Sequence, residues 1–348
     1  MINIDFESLQ PIGLTPYIAQ QLLLLESSPD ASIARVIEIH RETIVLHTGK
    51  KELRARILPH INVQLAVGDW VSVEARAHDE FWISNLMEPV SQISRRTQEG
   101  NRQLLVSNVD TALLVMGLDN DFNPRRMERY LAIVQAAQVT PVIILTKQDI
   151  ALDADEKLQQ LTQRLPASLT IYAVNALNKI ELDVLTPWLK AGQTLVLLGS
   201  SGAGKSTLTN ALTLSTQDTG AVRVGDSRGR HTTTTRSLHQ CVSGACIIDT
   251  PGLRAWSPDA DEEALDIAFD DIASLAMSCK FRDCQHKDEP ACAVRDAIDK
   301  DRLQNYQKLL LEIKRSKQTP LDKIEERAKW KVIQKASDVH AKQKRDWR

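Results

Sequence analysis

Three textures of hydrophobic and polar positions follow one another along the chain. From Ala31 to Met87, short β-rich runs (Arg35 to Ile39, Thr43 to Leu46, Trp70 to Glu74 and Phe81 to Leu86) are separated by turn residues such as Gly49 and Gly68-Asp69. That pattern predicts a small antiparallel barrel. Spacing alone leaves open a generic all-β module and a nucleic-acid-binding barrel of OB type, and Trp70, Phe81 and Trp82 fit a core in either. From Asp110 onward, apolar strands alternate with amphipathic helices: Thr111 to Gly117, Pro141 to Thr146, Leu169 to Val174, Thr194 to Leu198 and Ala245 to Ile248. This alternation predicts an α/β sheet. One helix of the set starts at Pro124 with Asn123 as its cap and turns Met127, Leu131 and Val134 toward the core. After Pro258 an acidic helix (Asp261 to Leu275) leads to a Cys/His cluster, then to a helical pattern with Leu303, Tyr306, Leu310 and Ile313 as its apolar stripe. The residues through Pro29 carry no readable pattern, and a flexible arm is expected there.

With 348 residues, the chain can bury more than one core. Its start lacks a basic stretch followed by an apolar one, and no apolar run is long enough to span a bilayer. Five cysteines, an odd and clustered set, suit a reducing compartment better than a disulfide framework. A cytoplasmic monomer with no membrane contact is the expectation. Net charge is only −2, so any nucleic-acid-binding surface must be local. The last stretch supplies one: Lys323, Arg327, Lys329, Lys331, Lys335, Lys342, Lys344, Arg345 and Arg348 outnumber the acids around them.

The chemistry is carried first by Gly199-Ser200-Ser201-Gly202-Ala203-Gly204-Lys205-Ser206, a P-loop directly after an apolar strand and before a helical pattern that begins at Thr207. Its backbone N–H groups can curl around phosphates, Lys205 can neutralise β- and γ-phosphate charge, and the Ser206 hydroxyl can ligate Mg²⁺. A P-loop alone fits kinases, transport ATPases and GTPases alike. The deciding element is Thr146-Lys147-Gln148-Asp149 at the end of its own strand. Asp149 can accept two hydrogen bonds from guanine N1–H and N2–H₂, a donor pair adenine lacks, while the Lys147 stem covers the base. Guanine motifs usually begin with Asn, so Thr146 removes an amide that would hold purine and P-loop, and weaker binding is expected. A further base contact is expected from the Ala176 N–H in Asn175-Ala176, where Ser-Ala is commoner.

Asp249-Thr250-Pro251-Gly252 ends another apolar strand, which places a carboxylate near Mg²⁺ and the Gly252 N–H near the γ-phosphate. Between P-loop and this turn lies Gly229-Arg230-His231-Thr232-Thr233-Thr234-Thr235, polar and turn-rich as a nucleotide-ordered switch loop should be. Thr233 is the favoured second hydroxyl ligand to Mg²⁺, with Thr232 next. Leu253 stands where many GTPases place a water-orienting Gln, which leaves His231 either to orient the attacking water or to stabilise the loop or touch a partner. Finally, Cys279, Cys284, His286 and Cys292 offer three thiolates and an imidazole, the ligand set of one structural zinc ion with no open coordination position.

In chain order the elements are base-reading motif, P-loop, switch I and switch II, whereas most GTPases begin with the P-loop. The permuted order, the Gly-Arg-His-Thr-Thr-Thr loop, the Cys/His cluster and the preceding barrel together resemble the ribosome small-subunit-dependent GTPase A family (RsgA, also called YjeQ or EngC). The resemblance implies an N-terminal OB-fold barrel, a central α/β circularly permuted P-loop GTPase and a C-terminal α-helical zinc-binding domain, with boundaries at 1–97, 98–274 and 275–348. It also implies a late assembly factor of the bacterial small ribosomal subunit that contacts its rRNA and hydrolyses GTP to GDP at a low rate raised by that subunit. Thr146 and Asn175 depart from the family pattern. Two other classes stay in view: an ATP-using P-loop enzyme, and an RNA-binding scaffold that senses GTP without hydrolysing it. Switch II falls near the end of the GTPase core, so the C-terminal module is expected to feel its state.

Overall fold

The computed structural model of the chain describes residues 5–24, 31–58, 64–76, 80–97, 101–213, 236–252 and 257–317. His231, Thr233 and the switch loop around them, Leu253, and the basic C-terminal stretch lie outside the described residues.

The N-terminal residues are not an extended arm. They form helix α1 (Phe6–Leu9), a 3-10 turn (Gln10–Ile12) and helix α2 (Pro16–Leu24). Leu9, Ile12, Ile18 and Leu22 are buried in the main core, and that burial is what turns a patternless stretch into an ordered one. Five strands follow: β1 (Ser32–Ile39), β2 (Ile44–His47), β3 (Glu52–Ile57), β4 (Trp70–Ala75) and β5 (Phe81–Leu86). Their order β1-β2-β3-β5-β4, with β1 also pairing β4, closes a barrel. Only β3 and β5 run parallel, and the result is the OB arrangement. Alternate inward residues such as Val36, Leu46, Ala55, Val71 and Ile83 fill it.

Strands β6 (Gln92–Arg96) and β7 (Arg102–Ser107) pair antiparallel, and the sequence-drawn boundary at 97 falls directly after β6. The α/β unit then runs β8 (Thr111–Gly117), α3 (Pro124–Ala136), β9 (Thr140–Thr146), α4 (Ala154–Arg164), β10 (Thr170–Val174), a 3-10 segment (Glu181–Trp188), β11 (Thr194–Gly199), α5 (Lys205–Leu212), β12 (Ser237–Gln240) and β13 (Cys246–Asp249). Strand order is β10-β9-β8-β11-β13-β12, parallel except for β12. Both faces of this sheet are covered. On β8, Ala112, Leu114 and Met116 enter the main core, while Leu113 and Val115 enter a second cluster with Leu182, Leu185 and Leu208. Asn123 caps α3 as expected, accepting from the Arg126 N–H at 3.0 Å.

The chain continues through β14 (Ser257–Pro258), α6 (Glu262–Ala268), α7 (Asp270–Ala276), α8 (Ala293–Ala297) and α9 (Lys300–Lys317). The acidic stretch expected as one helix is two, broken at Phe269, whose buried ring stacks edge-on against Tyr306 of α9.

One buried cation ties the modules together. Arg35 of β1 is fully buried and donates to the carbonyls of Ile12 (2.5 Å), Asn108 (3.0 Å) and Gly68 (3.2 Å), and to Thr194 Oγ1 (2.8 Å). N-terminal turn, barrel, connecting hairpin and the first residue of β11 thus share one guanidinium, whose planar fork suits several acceptors at once.

Candidate nucleotide and metal sites

In a parallel sheet, the loops after the strands emerge at one edge, and that edge is where α/β proteins place ligands. Here the loops after β10, β9, β8, β11 and β13 carry, in that spatial order, Ala176, the Lys147-Gln148-Asp149 turn, residues 118–121, the P-loop and the Asp249-to-Gly252 turn. Strand β8 lies between β9 and β11, so the Lys147-to-Asp149 turn and the P-loop sit two strand spacings apart, about 10 Å. A nucleotide can bridge that separation with its base on one loop and its phosphates on the other.

The P-loop is held from three sides. Lys205, the first residue of α5, is buried and its Nζ donates to the carbonyls of Gly199 (3.0 Å) and Ser200 (2.8 Å). Burial lowers the pKa of this ammonium, and the carboxylates of Asp249 and Asp121 oppose that loss. Thr146, fully buried, donates from Oγ1 to the Ala203 carbonyl at 2.6 Å. The sequence reading expected Thr146 to give up the tie to the P-loop along with the amide. The structure corrects this: the shorter hydroxyl reaches the same loop because Gly204 packs against its side chain. Gly252 closes the third side, where a Cβ would lie 2.5 Å from the Ser201 nitrogen, so no larger residue can bring the switch II turn this near. Ser201 and Gly202 are exposed, while Ser206 and Thr207 are half-buried in the first turn of α5.

Asp249 ends β13 with both carboxylate oxygens buried and without a hydrogen-bond partner. Burial raises its pKa to about 6 despite the nearby Lys205. An orphaned buried carboxylate beside a P-loop helix fits a hydrated divalent cation, whose waters would satisfy it. Lys147 and Asp149 sit on a turn, Lys147 with φ of 63° and Asp149 exposed together with Gln148. In the turn after β10, the closing hydrogen bonds run from the N–H groups of Asn175, Leu177 and Asn178, and Ala176's N–H is not among them. Asn175 accepts the Leu177 N–H on its own side chain at 2.9 Å, so it turns the chain as a serine would.

Away from this edge, Cys279, Cys284, His286 and Cys292 bring their four ligand atoms within 4.8 Å of one another. The separations are 4.0 Å for Cys279 Sγ to Cys292 Sγ, and 3.7 and 3.4 Å from His286 Nδ1 to the sulfurs of Cys279 and Cys292. The edges of a tetrahedron with ordinary metal–ligand bonds would be about 3.8 Å between sulfurs and about 3.6 Å between sulfur and nitrogen. The cluster could hold a metal ion. Cys292 also caps α8, accepting the Arg295 N–H at 3.4 Å, and Gln307 of α9 donates to the His286 carbonyl at 2.9 Å.

Sequence reasoning missed the loop between these motifs, Leu118-Asp119-Asn120-Asp121. The available signal was a pair of carboxylates directly after an apolar strand. It also missed Glu128, a carboxylate inside the apolar face of α3 that turns out to be fully buried.

Residues 87–258 match the model of the RsgA GTPase family, and residues 194–324 match that of 50S ribosome-binding GTPases. The second match begins at the P-loop strand, where an unpermuted GTPase core would begin. The chain is 42% identical over 313 residues to a small ribosomal subunit biogenesis GTPase RsgA 2 of Vibrio vulnificus, covering 88% of both chains. It is 41% identical over 333 residues to a protein of Xanthomonas oryzae named small ribosomal subunit biogenesis GTPase RsgA, covering 90% of both. Among solved structures, YjeQ of Thermotoga maritima superposes with a TM-score of 0.59 at 22% identity, over 81% of this chain and 98% of that one. YloQ, a circularly permuted GTPase, superposes with a TM-score of 0.57 at 26% identity, over 83% and 97%.

Proposed function

The chain belongs to the RsgA GTPase family, and on that footing we propose that it hydrolyses GTP to GDP and phosphate as an assembly factor in late maturation of the small (30S) ribosomal subunit, with turnover stimulated by that subunit. The observation that carries this reading is the meeting at one sheet edge of a P-loop, an exposed Asp149 and a buried, partnerless Asp249 carboxylate. The P-loop N–H groups and Lys205 hold the phosphates, Asp149 and the Ala176 N–H read guanine under the Lys147 stem, and the Gly252 N–H approaches the γ-phosphate. Ser206, Asp249 and Thr233 would hold Mg²⁺, which neutralises charge on the phosphate oxygens when bound. His231 is assigned to orient the attacking water, since Leu253 has no group to do so. The 1–97, 98–274 and 275–348 divisions serve this reading as barrel, motor and metal-bound helical module. The basic residues from Lys323 to Arg348 serve it as an rRNA contact.

Phosphate release from GTP and from ATP, each with and without purified small subunits, tests the proposal. Stimulation with GTP alone supports it. Stimulation with ATP overturns the base assignment, and no stimulation with either overturns the partner. In the same assay, His231→Ala should lose most of the stimulated turnover while still binding GTP, and full turnover would take the water from His231.

We assign zinc to the cysteine cluster, one ion per chain and structural, because four ligands leave no open position. Removing it with a chelator is expected to unprotect the amides of residues 279–298 in hydrogen exchange, because metal affinity in such loops is folding energy, while β8, β9 and β11 stay protected. Unchanged exchange would show that the loop folds without metal. No helix of the described residues is long and apolar enough to cross a membrane. The proposed ribosomal partner places the site of action in the cytoplasm.

A further inference from the structure

Residues 118–121 lie between the two halves of the nucleotide site because β8 lies between β9 and β11, and the structure gives them contacts to both. Asp119 Oδ2 accepts from Lys147 Nζ at 2.7 Å, and its Oδ1 accepts the Asp121 N–H at 3.2 Å. Asp121 in turn accepts from Ser200 Oγ of the P-loop at 2.5 Å and from the Gly117 N–H at 3.1 Å, and pairs with Arg126 of α3 at 2.5 Å. The loop's start is pinned as well: the Leu118 N–H donates to the Thr146 carbonyl at 2.9 Å and Lys157 Nζ donates to the Leu118 carbonyl at 2.6 Å.

Two further observations point at Lys147 as the beneficiary. Its backbone is left-handed, with φ of 63°, a conformation uncommon for a residue with a Cβ. And a Cβ at Gly117 would lie 2.4 Å from Asp119 Oδ1, so any side chain there would push the carboxylate from its place. Glycine at the end of β8 is therefore what lets the Asp119 carboxylate reach back to the lysine. The Lys147–Asp119 pair is too exposed, at 26% and 36%, to contribute much to the stability of the fold. Its effect lies in fixing where the Lys147 stem points before a base arrives, so that binding does not have to freeze a four-carbon chain.

We propose that Asp119 is a positioning residue for the guanine base, acting through Lys147 and held in register with the P-loop by Asp121. This rests on the guanine-site reading above. Acting on the base, it should change nucleotide affinity more than the chemical step.

The test is a double-mutant cycle on the full-length protein, reading GDP and GTP dissociation constants and subunit-stimulated kcat. Lys147→Ala is expected to weaken nucleotide binding about tenfold, and Asp119→Asn about fivefold to tenfold, with kcat nearly unchanged. Combined, they should weaken it no further than Lys147→Ala alone, because a residue acting through Lys147 has nothing left to position. Gly117→Ala, which displaces the carboxylate without removing it, should reproduce the Asp119→Asn loss. Wild-type affinity in Asp119→Asn beside a weakened Lys147→Ala would overturn the proposal, as would the same loss from Asp119→Asn with and without Lys147. A Lys147→Ala protein that binds GTP normally would overturn the guanine-site reading itself, and the proposal with it.

Discussion

Lys205→Ala is expected to slow subunit-stimulated GTP turnover about 100- to 1000-fold, the loss typical of removing one preorganised charge from a developing anion. The side chain is buried at the head of α5, bonded to two P-loop carbonyls and close to the Asp249 carboxylate. Those bonds preset the ammonium at the mouth of the loop, so no reorganisation is required when phosphate replaces a carbonyl as its partner. Steady-state phosphate release should report the loss. Circular dichroism should report an intact fold, since Gly199 and Ser200 keep the backbone bonds of β11 and its turn. Turnover within tenfold of wild type would mean that charge at the γ-phosphate is managed elsewhere.

The second large effect is expected far from the nucleotide. Glu128 of α3 is fully buried, and its carboxylate accepts from Arg164 of α4 (2.6 and 3.1 Å), from Arg302 of α9 (2.5 Å) and from Asn305 of α9 (2.5 Å). Arg302 also pairs with Asp271 of α7 at 2.7 and 2.8 Å and stacks over Phe269, 4.6 Å from the ring centre. One carboxylate therefore joins the GTPase helices to the C-terminal helices. Glu128→Ala leaves the Arg164 and Arg302 guanidinium groups facing a cavity in place of their one buried carboxylate, with only the more exposed Asp301 and Asp271 as partners, which should cost about 3 kcal/mol. The loss belongs to the seam, so native-state hydrogen exchange should show it as easier opening of α9 and α3, more than of β11. A cost below about 1 kcal/mol, the ordinary value of exposed pairs, would show that packing alone holds the seam.

Arg126 precedes Glu128 by half a turn and binds Asp121 Oδ1, the same oxygen that accepts from Ser200 Oγ of the P-loop, while Oδ2 accepts the Gly117 N–H at the end of β8. Helix α3 thus touches the nucleotide edge at its start and the C-terminal helices in its middle. The expectation that the C-terminal module feels the nucleotide acquires a second physical route here, besides the strand β14 that follows switch II and pairs with β6.

Much of the protein was legible from local signals. The P-loop announces itself because a phosphate cradle needs glycine, lysine and serine at fixed spacing between a strand and a helix. The Cys/His cluster does so because its three thiols and imidazole lie within fourteen residues of chain. Strands β8 and β11 were readable because strands buried on both faces are continuous apolar runs. The N-terminal helices were not, since their apolar residues gain meaning only against a core assembled from strands far along the chain. The same holds for the break at Phe269, which is decided by Tyr306 and Arg302 rather than by helix propensity.

By itself, then, the sequence determined which chemistry is present and the permuted order of its motifs, since both are written in short contiguous segments. Only the tertiary structure decided what each motif leans on. Thr146 bonds a carbonyl 57 residues away, Lys147 a carboxylate 28 residues away, and Arg35 a hydroxyl 159 residues away. Such pairs are set by strand order and by the depth at which a side chain is buried. Neither is a property of neighbouring residues, so nothing in the local sequence encodes them.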